Sequence, residues 1–181
     1  GRFANSQIGH GQPMIKPKVS DKLDYEAELA VIIGKPGRHI AEADAMDHVA
    51  GYACYNEGSV RDWQRHTGQF TPGKNFIGTG AFGPCLVTKD EIADLGPLVM
   101  EARLNGEVMQ DWNTDDMIFD VPTLIEFLSG STQLVAGTVI LTGTPHGVGF
   151  ARTPPVLLKD GDEITIEIER IGQLTNPVKD E

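Results

Sequence analysis

The segment YEAELAVII, residues 25–33, carries the clearest structural signal in this chain. Its first half alternates polar and apolar side chains, and its second half is continuously apolar. This pattern predicts a strand, Tyr25–Ile33, that runs from a cleft into a protein core. Because alternate side chains of a strand point to the same face, we expect Glu26 and Glu28 to lie side by side.

The rest of the chain predicts mostly short strands separated by turns. Glycine (21 residues) and proline (11 residues) interrupt the apolar stretches along the whole length, which favours strands over long helices. We predict strands at Val99–Leu104, Thr138–Leu141 and Glu163–Glu169, a hairpin turn at Asn105-Gly106 leading into Glu107–Met109, a short helix at Ile40–Ala50, and a helix beginning near Pro122 and ending at Gly130. Strands and helices do not alternate regularly, so the expected fold class is α+β, predominantly β, in a single domain over residues 1–181.

The composition argues against several classes of protein. The 26 acidic and 15 basic residues give a formal net charge of -11, which argues against binding to nucleic acid or to an anionic membrane. No apolar run approaches the roughly 18 residues of a membrane span. Cys54 and Cys85 lie in apolar surroundings, which favours two buried, reduced thiols over a disulfide or a nucleophile. Reduced thiols fit a reducing compartment, so we expect a cytoplasmic protein.

Glu26 and Glu28 are candidate metal ligands. Two carboxylates held side by side repel each other unless a cation lies between them. Oxygen ligands alone favour a hard divalent cation over zinc or copper. The alternative, on spacing alone, is an exposed strand face with two solvated glutamates.

Residues 55–64, YNEGSVRDWQ, combine an acid, a base, an amide and an aromatic ring within ten positions. On a helical turn, Glu57, Arg61 and Gln64 fall near one face. Such a set can ligate an ion, bind a substrate carboxylate in bidentate fashion and polarise a carbonyl. The alternative is an ordinary ion pair on a surface helix.

Several motifs together resemble one known family. They are DYEAELAVIIGK at residues 24–35, the segment from Gly51-Tyr52 through RDWQ at residues 61–64, GKNF at residues 73–76, DMIF at residues 116–119, LTGTPHGVG at residues 141–149, and the tail at residues 169–178. In this order, and over nearly the whole chain, they resemble the fumarylacetoacetate hydrolase family. The resemblance is specific because it rests on all of the motifs jointly.

The resemblance implies a β-roll of mixed sheets with a few short helices, usually assembled as a homodimer. It also implies a small-molecule 2-oxo acid as substrate. The implied cofactor is Mg²⁺ or Mn²⁺, with Ca²⁺ also used in the family, and the implied ligands are Glu26, Glu28 and Glu57.

The resemblance further implies that Arg61 and Gln64 act as catalytic groups in contact with the substrate. Lys74 would stabilise a developing oxyanion or enolate, because it adds positive charge where negative charge forms. Thr144 and the backbone of Gly143 would hold the 2-oxo-acid end. Taken without the resemblance, Lys74 could be a solvated loop lysine and Thr144 part of a plain turn.

Two departures from the family pattern stand out. The third ligand is most often aspartate in the family, whereas Glu57 is one methylene longer. Hydrolytic and decarboxylating members carry a histidine-glutamate pair on a lid ahead of the first metal strand. Residues 1–24 contain no matching pair, because His10 has no acidic neighbour to orient it. We therefore expect a catalytic domain without its N-terminal lid segment, and we favour the interpretation that the lid lies outside this sequence. Arg2 falls where relatives place a basic residue that touches the substrate.

The sequence also suggests roles for four other histidines and for two aromatic residues. His146 is a candidate base, although a structural or surface role is favoured. His39, His48 and His66 are expected to be structural or exposed. For Trp112 and Phe119, core packing is favoured over lining the pocket.

The leading function is metal-dependent hydrolysis of a C–C bond in an acylpyruvate-type 2-oxo acid, as in the catabolism of aromatic compounds. One alternative is isomerisation of a 2-hydroxymuconate-like diene, or decarboxylation of a 2-oxo diacid, through the same enolate. Another is a metal-binding module without catalysis, which applies if the lid base is truly absent.

Overall fold

The computed structural model describes residues 1–92 and 95–181. Short strands dominate it, as predicted. The strands are β1 (Gln7–Gly9), β2 (Met14–Lys16), β3 (Leu23–Asp24), β4 (Ala27–Ile33), β5 (Val49–Glu57), β6 (Ser59–Val60), β7 (Gly80–Thr88), β8 (Val99–Leu104), β9 (Glu107–Asn113), β10 (Val139–Leu141), β11 (Glu163–Ile168) and β12 (Gly172–Asp180). The α-helices are α1 (Arg61–Gln64), α2 (Thr71–Lys74) and α3 (Val121–Ser131), and short 3₁₀ helices span Ala4–Ser6, Glu42–His48, Thr114–Asp116 and Gly149–Ala151.

The strands form two mixed sheets and one small ribbon. The first sheet has the order β1-β7-β5-β4-β10, the second has the order β2-β12-β11-β8-β9, and β3 pairs with β6. Most neighbours are antiparallel, but β1 pairs with β7, and β2 with β12, in parallel. The α+β, predominantly β prediction is confirmed by this architecture.

The main core lies between the two five-stranded sheets. Leu29, Val31 and Ile33 of β4 belong to the same apolar cluster as Ile164 and Ile166 of β11. The alternate residues of β4, Ala30 and Ile32, pack into a second, smaller cluster on the other face of the first sheet. Burial on both faces explains why the second half of β4 is continuously apolar.

Turn and helix-capping residues in the sequence predicted several elements correctly. Asn105 and Gly106 both have positive φ, 51° and 85°, as a tight turn between β8 and β9 requires. The first turn of α3 is capped by Asp120, whose side chain accepts a hydrogen bond from the Thr123 N–H at 2.9 Å, with Pro122 inside that turn. This helix continues one residue past Gly130, which had been predicted to end it.

Other assignments were wrong. The helix predicted at Ile40–Ala50 is a 3₁₀ helix over Glu42–His48, because Val49 already pairs with Ile33 at the start of β5. Cys54 is buried and Cys85 is exposed, so only one of the two thiols is buried as predicted, and both are free. Within the described residues, no helix is both long and apolar enough to cross a membrane.

Candidate metal centre

Three glutamates meet where β4 begins and β5 ends. These strands are antiparallel with Ala27 opposite Asn56 and Glu28 opposite Tyr55, and the Glu57 N–H donates to the Glu26 carbonyl at 2.9 Å. This register places Glu57 across from Glu26, with Glu28 one step along the same face. Carboxylate oxygens of the three residues lie within 4.8 Å of one another.

The cluster is largely shielded from water. Glu26 is 5% exposed and Glu28 is 3% exposed, and the side chain of Glu57 is 17% exposed. The alternative of two solvated glutamates on an open face is therefore wrong. Like charges in such surroundings are costly unless positive charge is supplied.

Three cationic side chains supply part of that charge. Lys74 Nζ, at the end of α2, donates to Glu57 Oε2 at 2.7 Å and also to Glu26 Oε2. Arg61 Nη1 lies 2.6 Å from Glu26 Oε1, and Arg2 Nη1 lies 3.8 Å from Glu57 Oε1. The alternative of a solvated loop lysine is excluded for Lys74, which is 9% exposed.

The predicted helical turn carrying Glu57, Arg61 and Gln64 is not formed as such. Glu57 is the last residue of β5, and only Arg61 and Gln64 share the short helix α1. Arg61 Nη1 donates to Gln64 Oε1 at 3.0 Å, and both residues are buried. Strand pairing, rather than helical spacing, therefore brings Glu57 to the cluster. A surface ion pair between Glu57 and Arg61 is also excluded, since Arg61 pairs with Asp24 and Glu26.

The Glu28 carboxylate is costly to ionise in its buried surroundings. Burial, reinforced by the charges of Glu57 and Glu26, raises its pKa from 4.5 to about 8, against the opposing effects of the Gly143 N–H and Lys74. Within the described residues, no cationic side chain lies within salt-bridge distance of Glu28. A buried, all-oxygen cluster with one uncompensated carboxylate is a donor set that fits a hard divalent cation.

The raised pKa of Glu28 predicts how the stability of the metal-free protein and its affinity for Mn²⁺ depend on pH. The folded-state pKa of Glu28 lies above its unfolded value, so its contribution to stability is complete below about pH 4.5 and is lost as the pH rises to about 8. Because Mn²⁺ requires the ionised form, its affinity should rise over the same range and binding near neutral pH should release a proton. Calorimetry in buffers of different ionisation enthalpy measures that release. The Glu28→Gln variant should show a much flatter pH dependence of metal-free stability; an unchanged dependence would show that another group titrates.

Gly143 and Thr144, two of the residues predicted to bind the substrate, follow β10, and Gly143 contacts the cluster. The Gly143 N–H donates to Glu28 Oε2 at 2.9 Å, and Gly143 has a φ of 97°, a conformation that favours glycine. Thr144 Oγ1 accepts a hydrogen bond from Gln110 Nε2 at 2.9 Å. Gln110 Oε1 accepts in turn from the Ala27 N–H at 3.0 Å. Gln110 was not singled out from the sequence, because its role depends on contacts distant in the chain.

Three cavities lie at the cluster or at the residues beside it. One of about 640 Å³ reaches the cluster at Glu57 and is also lined by Arg2 and Tyr55. A second, of about 500 Å³, is lined by Gly143 and Thr144. A third, of about 340 Å³, is lined by Glu57 and Lys74. Each has room for a small organic acid.

The lining of the second cavity shows that the predicted core packing of Trp112 and Phe119 is wrong. Both side chains line it, Phe119 is 60% exposed, and the Trp112 ring packs edge-on against His146 at 4.5 Å between centroids. Core packing was wrong for them because β9 lies at the edge of its sheet and Phe119 precedes α3 in an exposed loop.

The remaining histidines lie away from the carboxylates. His146 is exposed and lines the second cavity. His48 is buried with Nδ1 2.7 Å from the Lys35 carbonyl, while His39 and His66 are exposed. His10 Nδ1 accepts from the Thr175 N–H at 3.1 Å.

Comparisons with known proteins agree with this fold. Residues 2–179 match the family model described as fumarylacetoacetate (FAA) hydrolase, C-terminal. A relative from Homo sapiens, oxaloacetate tautomerase FAHD2A, mitochondrial, is 47% identical over 179 residues, which cover 98% of this chain and 57% of that protein. The present chain thus spans less than two thirds of that relative's length.

Solved structures extend the comparison to three dimensions. A fumarylacetoacetate hydrolase from Exiguobacterium antarcticum shares 43% identity and a TM-score of 0.93, covering 98% of this chain and 64% of that one. A 5-carboxymethyl-2-hydroxymuconate delta-isomerase from Mycobacterium smegmatis shares 36% identity and a TM-score of 0.90, covering 98% of this chain and 66% of that one. The resemblance read from the motifs is confirmed, and the chain belongs to the fumarylacetoacetate hydrolase family.

Proposed function

We propose that this protein is a divalent-metal-dependent enzyme that interconverts the keto and enol forms of a 2-oxo diacid of the oxaloacetate class. One observation carries the proposal: the Lys74 ammonium is hydrogen-bonded to two of three clustered glutamates. This arrangement places a proton donor directly beside the carboxylates that would hold Mg²⁺ or Mn²⁺. The human relative at 47% identity, named an oxaloacetate tautomerase, supports the substrate class.

The chemistry of tautomerisation needs few groups. In the keto-to-enol direction, a C–H bond next to the 2-oxo carbon breaks and its proton passes to solvent. The electron pair forms a carbon–carbon double bond and the 2-oxo oxygen takes up a proton, so no proton is gained or lost overall. Neither an oxidant nor water is consumed. A divalent cation held by Glu26, Glu28 and Glu57 supplies Lewis-acid polarisation of the 2-oxo carbonyl.

The protein's own side chains position the substrate and stabilise charge. Two N–H donors of Lys74 go to Glu26 and Glu57, and the third is assigned to the developing enolate oxygen, where a positive charge lowers the barrier. Arg61 occupies Gln64 Oε1, so the Nε2 group of Gln64 is assigned to the substrate. The hydroxyl of Thr144 and the backbone of Gly143, whose N–H already donates to Glu28, line the place assigned to the 2-oxo-acid end.

Hydrolysis of a C–C bond, the function first predicted from the sequence, is the second candidate. It uses the same enolate as leaving group, but it also requires an activated water molecule. The solved relative at 43% identity, named a fumarylacetoacetate hydrolase, favours it. The relatives named tautomerase and isomerase favour proton transfer instead.

The two candidates are separated by assaying one protein preparation on both substrate types. With Mn²⁺ present, we expect faster decay of the ultraviolet absorbance of enol oxaloacetate than with Mn²⁺ alone, and loss of that acceleration with chelator. An acylpyruvate and a hydroxymuconate are tested in parallel, with product identity determined by mass spectrometry. Acylpyruvate cleavage without tautomerase activity would replace the leading proposal by the second, and activity that is insensitive to chelator would contradict both.

Two further expectations stay predictions. The homodimer is checked by light scattering of the purified protein. The cytoplasmic location receives no support from the human relative, whose name places that protein in mitochondria, and it is checked by imaging a tagged full-length protein.

A further inference from the structure

Asp24 is a buried aspartate that joins three separate parts of the chain. It ends β3, is 0% exposed and was given no role from the sequence. Its Oδ1 accepts hydrogen bonds from the N–H groups of Tyr25 and Gly149, both at 2.9 Å. Its Oδ2 accepts from the Phe150 N–H at 2.9 Å and from Arg61 Nε at 2.8 Å. Both oxygens are therefore satisfied, as a buried carboxylate requires.

The loop around Gly149 is shaped to fit this carboxylate. A Cβ atom at Gly149 would lie 2.7 Å from Asp24 Oδ1 and 1.8 Å from the Val156 carbonyl oxygen. Only glycine lets the backbone approach this closely. The last glycine of the LTGTPHGVG motif thus serves the contact with Asp24.

Arg61 connects Asp24 to the carboxylate cluster. Its Nε donates to Asp24, and its Nη1 lies 2.6 Å from Glu26 Oε1. Its Nη2 is 2.8 Å from Asp24 Oδ2 but outside hydrogen-bond geometry. A planar guanidinium held along one edge by an anchored carboxylate has a defined orientation at its other edge.

We infer that Asp24 is a positioning residue: it fixes the Arg61 guanidinium and, through it, the Glu26 carboxylate in the orientation that binds the metal. This inference rests on the proposed metal-dependent function. Some groups hydrogen-bond to metal ligands and so orient them. Replacing such a group commonly lowers metal affinity about 10–100-fold. Asp24 would act on the ion through two intermediaries, first Arg61 and then Glu26.

The test is the affinity of the purified protein for Mn²⁺ alone, measured by electron paramagnetic resonance of free Mn²⁺. In Asp24→Asn, the amide nitrogen at either terminal position meets N–H groups that need an acceptor. The negative charge that pairs with Arg61 is also lost, so the guanidinium is held less firmly. We expect Mn²⁺ binding to weaken about 10–100-fold. In an Arg61→Met background, the same Asp24→Asn change should leave Mn²⁺ affinity unaltered, because the intermediary is gone.

A matched control distinguishes positioning from general destabilisation. Asp162 is also a buried aspartate, and it accepts hydrogen bonds from the Lys159 N–H and from Asn105 Nδ2 in a distant turn. Asp162→Asn should lower thermal stability without changing Mn²⁺ affinity. If Asp24→Asn does not fold, Arg61→Lys is measured instead: a single ammonium cannot bridge Asp24 and Glu26 as the guanidinium does, so weaker Mn²⁺ binding is again expected.

Each outcome has a definite meaning. Absence of Mn²⁺ binding by the unaltered protein would remove the proposed metal-dependent function itself. Normal binding by that protein, with equal affinity in Asp24→Asn (or in Arg61→Lys, where that variant is used), would overturn only the positioning role. Equal weakening by Asp24→Asn in the presence and absence of Arg61 would show that Asp24 acts on the cluster without Arg61, and the inference would be wrong.

Discussion

The Glu28→Ala variant is expected to lose Mn²⁺-dependent stabilisation and enzymatic activity together. Glu28 is one of three clustered donors, and two remaining carboxylates leave a much weaker site. For the unaltered protein, a metal concentration 100-fold above the dissociation constant stabilises the fold by about 2.7 kcal/mol. That corresponds to a rise in melting temperature of roughly 5–10 °C for a domain of this size, measured by differential scanning fluorimetry with and without Mn²⁺.

In the absence of metal, the Glu28→Ala substitution is expected to have the opposite effect and to favour stability at high pH. Removing Glu28 also removes its repulsion from Glu26 and Glu57, which is strongest where Glu28 is ionised, above its pKa of about 8. At about pH 9 the metal-free variant should therefore lose less stability, relative to its own value at acidic pH, than the unaltered protein does. Glu163→Ala, at an exposed position on β11, serves as the control and should retain both activity and the Mn²⁺ shift. Full activity in Glu28→Ala would refute the metal-centred proposal.

Lys74→Met is expected to separate metal binding from catalysis. Lys74 Nζ contacts two of the donor residues, so removing its charge leaves the glutamates freer to bind a cation. Mn²⁺ affinity should be maintained or increased, whereas kcat should fall about 10²–10⁴-fold, the usual contribution of a positioned proton-transfer group. Steady-state kinetics at saturating Mn²⁺, together with Mn²⁺ titration, measure the two effects.

The matched control for Lys74 is Lys22→Met, at an exposed lysine, which should change neither quantity. A Lys74→Met variant that bound no Mn²⁺ would indicate that this lysine organises the cluster rather than acting on the substrate. A variant with unchanged kcat would exclude Lys74 from the reaction.

Much of the fold follows from local sequence patterns. The alternation and apolar run at residues 25–33 predicted β4 and its course into the core, and Asn105-Gly106 predicted the turn between β8 and β9. These features depend on neighbours within a few positions, so periodicity and turn chemistry suffice to predict them.

The candidate site was predictable only in part, for a physical reason. The same-face placement of Glu26 and Glu28 follows from strand geometry, but the approach of Glu57 depends on the register between β4 and β5. Helical spacing was therefore the wrong reason for grouping it with Arg61. Asp24 and Gln110 act through hydrogen bonds to distant segments, which local pattern alone does not reveal.

The parallel pairing of β2 with β12 has a consequence for how the protein is made. Met14 lies opposite Val178, so β2 leaves the ribosome long before its partner exists. The β4–β5 hairpin that carries the three glutamates can form much earlier, because its strands are close in sequence. The strand pair that carries the cluster can therefore form before β12 is synthesised, while closure of the second sheet waits for β12, a non-local step of the kind that slows folding.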